Sequence, residues 1–329
     1  MHSSRRTVLL QLATAVSSAV CVAPGCAKGG LRHVAQFDRH LQPRSSQGAV
    51  TARFLGTASV LFEDDRTAIL SDGFVTRPGP LDLLGRIRPH ERRIDGALKR
   101  LGVSSIAAVF AGHSHYDHAM DAPVFAQRTG AVLLGSESTW NIGWGRGLRE
   151  CQLRVVHDGE TLRFDNFELT FIESRHSPDD LAPGRVDVPL VPPARLRAWR
   201  SDRTWSELIR HDNSRTLLVH GSAGYKPGAL FGRRADVVYL GVGALGRQSE
   251  AFVDAYWQEV VGQTGAKRVI LVHWDDFFRN LDEPLRPLRS PGNSFDDVMR
   301  KIVCRADASG VEVLLPLAWE PTDPFADLE

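Results

Sequence analysis

Residues 111–118 read Ala-Gly-His-Ser-His-Tyr-Asp-His and directly follow the short apolar run 106–110, which is typical of a buried strand. Crowded neutral imidazoles each bring a donor and an acceptor to satisfy, and protonated rings would repel one another. A divalent metal resolves both problems, because imidazole nitrogens and carboxylates are good zinc ligands. Alternate residues of an extended chain point the same way. We therefore expect His113 and His115 to bind one ion, with Asp117 and His118 facing a second position. A histidine-rich surface turn is the alternative.

The pattern on both sides of this turn predicts two packed sheets covered by helices. Strand-like runs occupy residues 50–72, and Ile94, Ala97, Leu98 and Leu101 have the spacing of an amphipathic helix. Further strand-like runs and a helical stretch recur in the second half of the chain, and a buried strand there again has a histidine just past its end. Meandering strands with outer helices predict an α/β (α+β) fold of two sheets between helical layers.

The bulk composition excludes one class of function. The 329 residues are 43% hydrophobic and 24% charged, with a formal net charge of +1. A nucleic-acid-binding protein needs a lysine and arginine excess to offset phosphate charge. We therefore expect no nucleic-acid partner.

The N-terminal residues have the layout of an export signal. A short basic start precedes a mildly apolar stretch from Val8 to about Pro24, and Arg5-Arg6 resembles a twin-arginine signal. Cys26 stands in a poor match to a lipoprotein cleavage box, which allows membrane attachment by lipidation. The expected organisation is an export signal at 1–27, a linker at 28–48 and one domain at 49–329, located in the periplasm or cell envelope. A frayed helix with two chance arginines is the alternative.

The motif His113-Ser-His115-Tyr-Asp117-His118 resembles the HxHxDH signature of the metallo-β-lactamase superfamily. This resemblance covers about residues 50–320 and implies a four-layer αββα sandwich with one or two metal ions, usually zinc, although iron and manganese stay open. It also implies that His176 completes a first site with His113 and His115, and that His273 joins Asp117 and His118 in a second. Asp72 matches an aspartate that orients a metal-bound histidine. The resemblance gives Asp117 and Asp72 the catalytic roles.

One position departs from the pattern of this superfamily. Ser222 stands where most dinuclear members carry an aspartate that bridges both metals. The absence of that anion should weaken the second site, since ligand charge offsets metal charge. Three outcomes are open: a single metal, two metals bridged only by hydroxide, or replacement of the missing ligand by Asp275 or Asp276. His220, just upstream, is expected to be a core or surface histidine.

The resemblance implies hydrolysis, because a metal-bound water has its pKa lowered from 15.7 to about 7. The opening of the domain, residues 56–74, resembles a branch that includes L-ascorbate-6-phosphate lactonase-like and N-acyl-phosphatidylethanolamine phospholipase D-like proteins. An ester, lactone or phosphodiester bond of a small molecule or lipid is therefore the expected target. An exported, non-catalytic metal- or ligand-binding protein is the alternative, and the sequence does not indicate the oligomeric state.

A proline-rich stretch at 177–213 is predicted to be a long loop that acts as a lid, and a disordered segment is the alternative. Its four arginines could hold an anionic substrate or form a solvated basic face; they are Arg195, Arg197, Arg200 and Arg203. Trp199 and Trp205 could line an acyl pocket or pin the loop.

Overall fold

A computed structural model describes residues 37–45, 48–290 and 292–328, which form two seven-stranded sheets. The first sheet contains β1 (Thr51–Phe54), β2 (Val60–Glu63), β3 (Ala68–Ser71), β4 (Ala108–Phe110), β5 (Val132–Gly135), β6 (Leu153–Val155) and β14 (Pro321–Thr322). The second contains β7 (Thr161–Phe164), β8 (Phe167–Ser174), β9 (Thr204–His211), β10 (Thr216–His220), β11 (Val237–Gly241), β12 (Arg268–Val272) and β13 (Glu312–Leu314). The α-helices are α1 (Glu91–Leu101), α2 (Tyr116–Ala119), α3 (Ala122–Thr129), α4 (Glu137–Arg146), α5 (Glu250–Trp257) and α6 (Phe295–Ser309). Among the described helices, none combines the length and apolar character needed to cross a bilayer.

The two sheets share one plan. Their strand orders are β14-β1-β2-β3-β4-β5-β6 and β13-β12-β11-β10-β9-β8-β7. In each sheet, antiparallel pairs come first along the chain and parallel pairs follow, from β3 in one sheet and from β10 in the other. The exception is the final strand, β14, which pairs antiparallel with β1. Because parallel strands end at the same edge, the residues that follow β3, β4, β10 and β12 collect at the sheet edges.

Helices cover the outer face of each sheet. Ile94, Ala97 and Leu101 of α1 are buried against the first sheet, where each large apolar side chain contributes roughly 1.5–3 kcal/mol. Helices α5 and α6 pack on the second sheet. Between the sheets, aromatic rings meet edge to face, as Phe62 and Tyr239 do at 5.2 Å. The predicted four-layer αββα sandwich is confirmed.

The predicted loop at 177–213 is wrong for its last part, because residues 204–211 form β9. This strand pairs with β8 and β10 along its length. Trp205 and Ile209 alternate into the layer between the sheets, so Trp205, 1% exposed, does not line a pocket. Glu207 also faces inward, and a charged residue at a core position hid the strand pattern. Trp199, likewise 1% exposed, packs beside Phe74 and Tyr116 and pins the loop.

The segment 37–45, part of the predicted linker, packs on the domain. The ring of Phe37 lies 5.5 Å from that of Phe295 in α6. Leu41 forms a parallel bridge with Leu315, and the backbone N–H of Gln42 donates to the Leu315 carbonyl. The predicted export signal at 1–27 lies outside the described residues.

Candidate metal centre

Three histidines from both sheets converge on one point. His113 and His115 follow β4 of the first sheet, and His176 follows β8 of the second. Their ring centroids lie 4.7–4.8 Å from one another, and each pair of rings meets edge to face. One donor nitrogen from each ring lies within 4.8 Å of the others, which is the arrangement of a three-nitrogen metal site.

A second group lies directly beside the first. Asp117 Oδ2 is 3.3 Å from His273 Nε2 and 3.8 Å from His118 Nε2. The ring centroids of His113 and His118 are only 3.9 Å apart, so the two groups are in direct contact. All six residues predicted as metal ligands are therefore brought together in two adjacent groups, His113–His115–His176 and Asp117–His118–His273.

Two residues of the site have strained backbone: the ligand His273, and Asp72, which contacts the ligand His118. Asp72 and His273 have φ angles of 55° and 60°, in the left-handed region that non-glycine residues seldom adopt. The Asp72 N–H donates to the Phe110 carbonyl, and the His273 N–H donates to the Thr57 carbonyl. Asp72 Oδ2 then lies 2.7 Å from His118 Nδ1, which directs Nε2 of that ring toward the second group.

The donor set suits a divalent metal. Burial, reinforced by the neighbouring histidines, holds the pKa of His113 well below its usual range and lowers that of His176 to about 4. Both rings are therefore neutral near pH 7, with lone pairs free to bind. His113 Nε2 and His115 Nδ1 face each other at 3.2 Å, a contact that a shared cation stabilises. Nitrogen donors with one carboxylate suit zinc, and also iron or manganese.

Ser222 and the two nearby aspartates are engaged elsewhere. The Ser222 hydroxyl accepts the N–H of Ser177 at 2.9 Å and so supports the residue after His176. Asp275 uses both oxygens, one on the Thr57 N–H and one on Arg77, and Asp276 accepts the N–H of Phe278. None of these contacts places a bridging carboxylate between the groups. His220 is a core histidine as expected, with both nitrogens engaged by Ser206 and the Gly224 carbonyl.

Asp180 is a site residue that the sequence reasoning missed. Its Oδ1 lies 3.1 Å from His115 Nε2, and its Oδ2 lies 4.0 Å from His176 Nδ1. Burial alone would raise its pKa, but hydrogen bonds from His115 and Ser201 hold the pKa of Asp180 well below its usual range. An anion there fixes His115 with Nδ1 toward His113. Its position four residues after His176 was the available signal.

Glu207 is a second missed residue, buried beneath the centre. Its side chain is inaccessible, and neither carboxyl oxygen has a hydrogen-bond partner among the described residues. A Cβ on Gly112 would lie 3.7 Å from Glu207 Oε1 and 3.9 Å from Asp72 Oδ1. Burial, reinforced by the charge of Asp72, raises the pKa of Glu207 well above its usual range. Glu207 therefore keeps its proton to a higher pH in the folded chain than in the unfolded chain.

The raised pKa of Glu207 makes the free energy of unfolding depend on pH. The unfolded chain releases the Glu207 proton above pH 4.5, whereas the folded chain keeps it, so its contribution to stability is lost as pH rises from there toward the folded pKa. We expect Glu207→Gln to remove this loss. The free energy of unfolding of the variant minus that of the wild type should grow by up to about 1.4 kcal/mol per pH unit as pH rises from about 5 toward the folded pKa of Glu207. Urea titrations at several pH values measure it, and a difference that stays constant with pH would contradict it.

Comparison with known proteins agrees with this architecture. The family model described as the metallo-beta-lactamase superfamily matches residues 52–196. No curated protein matches the chain in sequence. Among solved structures, a protein assigned as a metal-dependent hydrolase from Parabacteroides distasonis aligns with a TM-score of 0.50 and 11% identity, covering 83% of this chain and 98% of that one.

Two other solved structures also align with this chain. Igni18, a metallo hydrolase from Ignicoccus hospitalis, aligns with a TM-score of 0.48 and 16% identity over 83% of this chain and 96% of its own. CmlA, a diiron β-hydroxylase from Streptomyces venezuelae, aligns with a TM-score of 0.49 and 15% identity. The alignment covers 83% of this chain and 54% of that one. Residues 52–196 match the family model of the metallo-β-lactamase superfamily, and the αββα sandwich with both donor groups at its sheet edge agrees with that match.

Proposed function

We propose that this chain is a metal-dependent hydrolase that cleaves an ester, lactone or phosphodiester bond of a small molecule or lipid. The observation that carries the proposal is the pair of adjacent donor groups, with a carboxylate, Asp117, in the second group. Zinc is the proposed metal, as one or two ions, and iron or manganese would suit the same donors. A bound divalent cation supplies a Lewis acid and an activated water near neutral pH.

The chain's own residues supply proton transfer and orientation. Burial would raise the pKa of Asp117, but His118 and His273 hold it well below its usual range, so this carboxylate is ionised. Asp117 Oδ2 can therefore accept a hydrogen bond from a nucleophilic water and relay its proton, but it does not store the proton, because a carboxylate with a lowered pKa is a weak base. Asp72 keeps the His118 ring in one orientation through the 2.7 Å contact with its Nδ1.

The test is turnover of chromogenic probes by the purified, metal-loaded protein. A p-nitrophenyl ester, a lactone and bis(p-nitrophenyl) phosphate represent the three bond types. We expect turnover on at least one of them and a loss of at least about 100-fold in kcat for Asp117→Asn. His220→Gln, at a buried histidine outside both donor groups, is the matched control and should keep most of the activity.

A non-catalytic metal-binding protein is the second candidate, and Ser222 favours it because the bridging carboxylate is absent. Full metal content with no turnover on any probe would support this candidate over the hydrolase. We also propose that residues 1–27 direct export to the periplasm or cell envelope, with Cys26 as a lipidation site. The Arg5-Arg6 pair ahead of an apolar stretch supports this proposal.

A further inference from the structure

The exposed apolar side chains of this protein are concentrated in two segments. Of the seven large apolar side chains that the described residues expose, five lie within 76–93 or 177–203, with exposed fractions of 54–69%. They are Leu81, Leu84, Leu181, Val188 and Val191. Single exposed apolar residues are ordinary, but a cluster of them marks an interaction surface.

Backbone pairing joins the two segments into one surface. Ile87 and Ala194 form an antiparallel bridge, with N–H to carbonyl distances of 2.8 and 3.0 Å. Both side chains are buried in a cluster that also takes Leu83 and Leu190. Because neighbours alternate in extended chain, Arg86, Arg88 and Arg195 face outward, and all three are exposed. We call this surface the leucine–arginine rim: Leu81, Leu84, Val188, Val191, Arg88 and Arg195.

The two segments that carry the rim have a net positive charge that the rest of the chain lacks. The two segments contain ten arginines and six acidic residues, a net of +4, whereas the whole chain has a net charge of +1. Arg77 is neutralised internally by Asp275, which leaves +3. A cleft of about 1070 Å³ opens within the first segment and is lined by Arg86, Arg88 and Arg92 among other residues.

The two segments that carry the rim also reach the metal centre. The second segment begins directly after His176, and its Asp180 contacts His115. Near its other end, the carbonyls of Arg200 and Ser201 accept the Ser114 hydroxyl. In the first segment, which starts four residues after Asp72, Leu83 packs on the same cluster as Tyr116. The segments that carry the rim are therefore continuous with the residues that surround the donor groups.

We propose that the leucine–arginine rim docks this domain on an anionic lipid bilayer. Apolar side chains flanked by arginines match the interface, where the former enter the acyl boundary and the latter meet anionic headgroups. A second copy of the chain is a poorer occupant, since a two-fold contact would set the same arginines against each other. The proposal goes beyond hydrolysis and favours a lipid among the substrates considered above.

The test is co-sedimentation with vesicles, which needs no turnover. Full-length protein with Cys26→Ser, so that no acyl chain contributes, is mixed with vesicles of phosphatidylcholine alone or with 30% phosphatidylglycerol. We expect at least about tenfold tighter binding to the anionic vesicles, weakened by salt. Leu81→Ser/Leu84→Ser and Val188→Ser/Val191→Ser should each weaken binding at least about fivefold, and Arg88→Gln/Arg195→Gln should reduce the preference for anionic lipid.

Phe231→Ser is the matched control, because Phe231 is 79% exposed but lies between β10 and β11, outside both segments. It should bind vesicles like the parent. The proposal is overturned if the parent ignores anionic vesicles, or if Phe231→Ser weakens binding as much as the rim variants. It is also overturned if the rim variants bind like the parent, or if they abolish a dimer seen by sedimentation velocity without changing vesicle binding. None of these readouts depends on hydrolysis, so failure here leaves the proposed activity standing.

Discussion

His113→Ala is expected to remove at least one equivalent of divalent metal from the purified protein. His113 is 2% exposed, and its ring contacts His115 and His176 of its own group and His118 of the other. Its loss removes a metal donor from the first group and a packing contact from His118 in the second. Mutation of residues that only hydrogen-bond to a metal ligand already weakens metal affinity by about 10- to 100-fold. Loss of a ligand itself should therefore weaken metal binding by at least about 100-fold. Elemental analysis of the wild type and the variant, followed by zinc titration, measures both quantities.

His220→Ala is the control for this experiment, because His220 is as deeply buried as His113. It should lose stability but keep its metal. Equal metal content in the wild type and His113→Ala would mean that the first donor group does not bind a metal. The wild-type stoichiometry also decides between one and two ions, the question that Ser222 leaves open.

Local pattern was enough to predict the layers of this fold. The periodic apolar residues of α1 and the short runs ending in polar clusters each reflect a single physical rule, burial of one face. Residues 204–211 were not predicted as a strand, because Glu207 breaks the apolar alternation of β9. The inward position of Glu207 depends on the opposite sheet. The position of a buried charge is a tertiary property, which no local period encodes.

The residues of the candidate site also divide into those that the sequence predicts and those that depend on tertiary contacts. The crowded imidazoles and carboxylate of the motif at 113–118 predicted a bound cation, and the family resemblance added His176 and His273 as ligands. Asp180 could not be assigned, because its role depends on how the loop after β8 folds back onto His115. The rim was hidden for a similar reason: pairing of Ile87 with Ala194 joins segments about a hundred residues apart.

Arg77→Met is expected to lower the free energy of unfolding by about 3–5 kcal/mol, because it leaves a buried carboxylate without its counterion. The side chains of Arg77 and Asp275 are 1% and 0% exposed and meet at 2.5 Å. Asp275 also accepts the Thr57 N–H, and the Thr57 carbonyl accepts the His273 N–H. Loss of the ion pair should therefore also disturb His273. Urea titration with metal present and absent measures the stability and its link to the site.

Two further variants separate charge from packing. Arg77→Met combined with Asp275→Asn should recover at least half of the loss, since the uncompensated charge is gone while an oxygen remains for the Thr57 N–H. Arg163→Met removes an ion pair with Asp212 whose side chains are 54% and 49% exposed, and it should cost less than about 1 kcal/mol. If Arg77→Met cost no more than Arg163→Met, the buried pair would not stabilise the end of β12. His273 would then depend for its position on its own backbone hydrogen bond to Thr57.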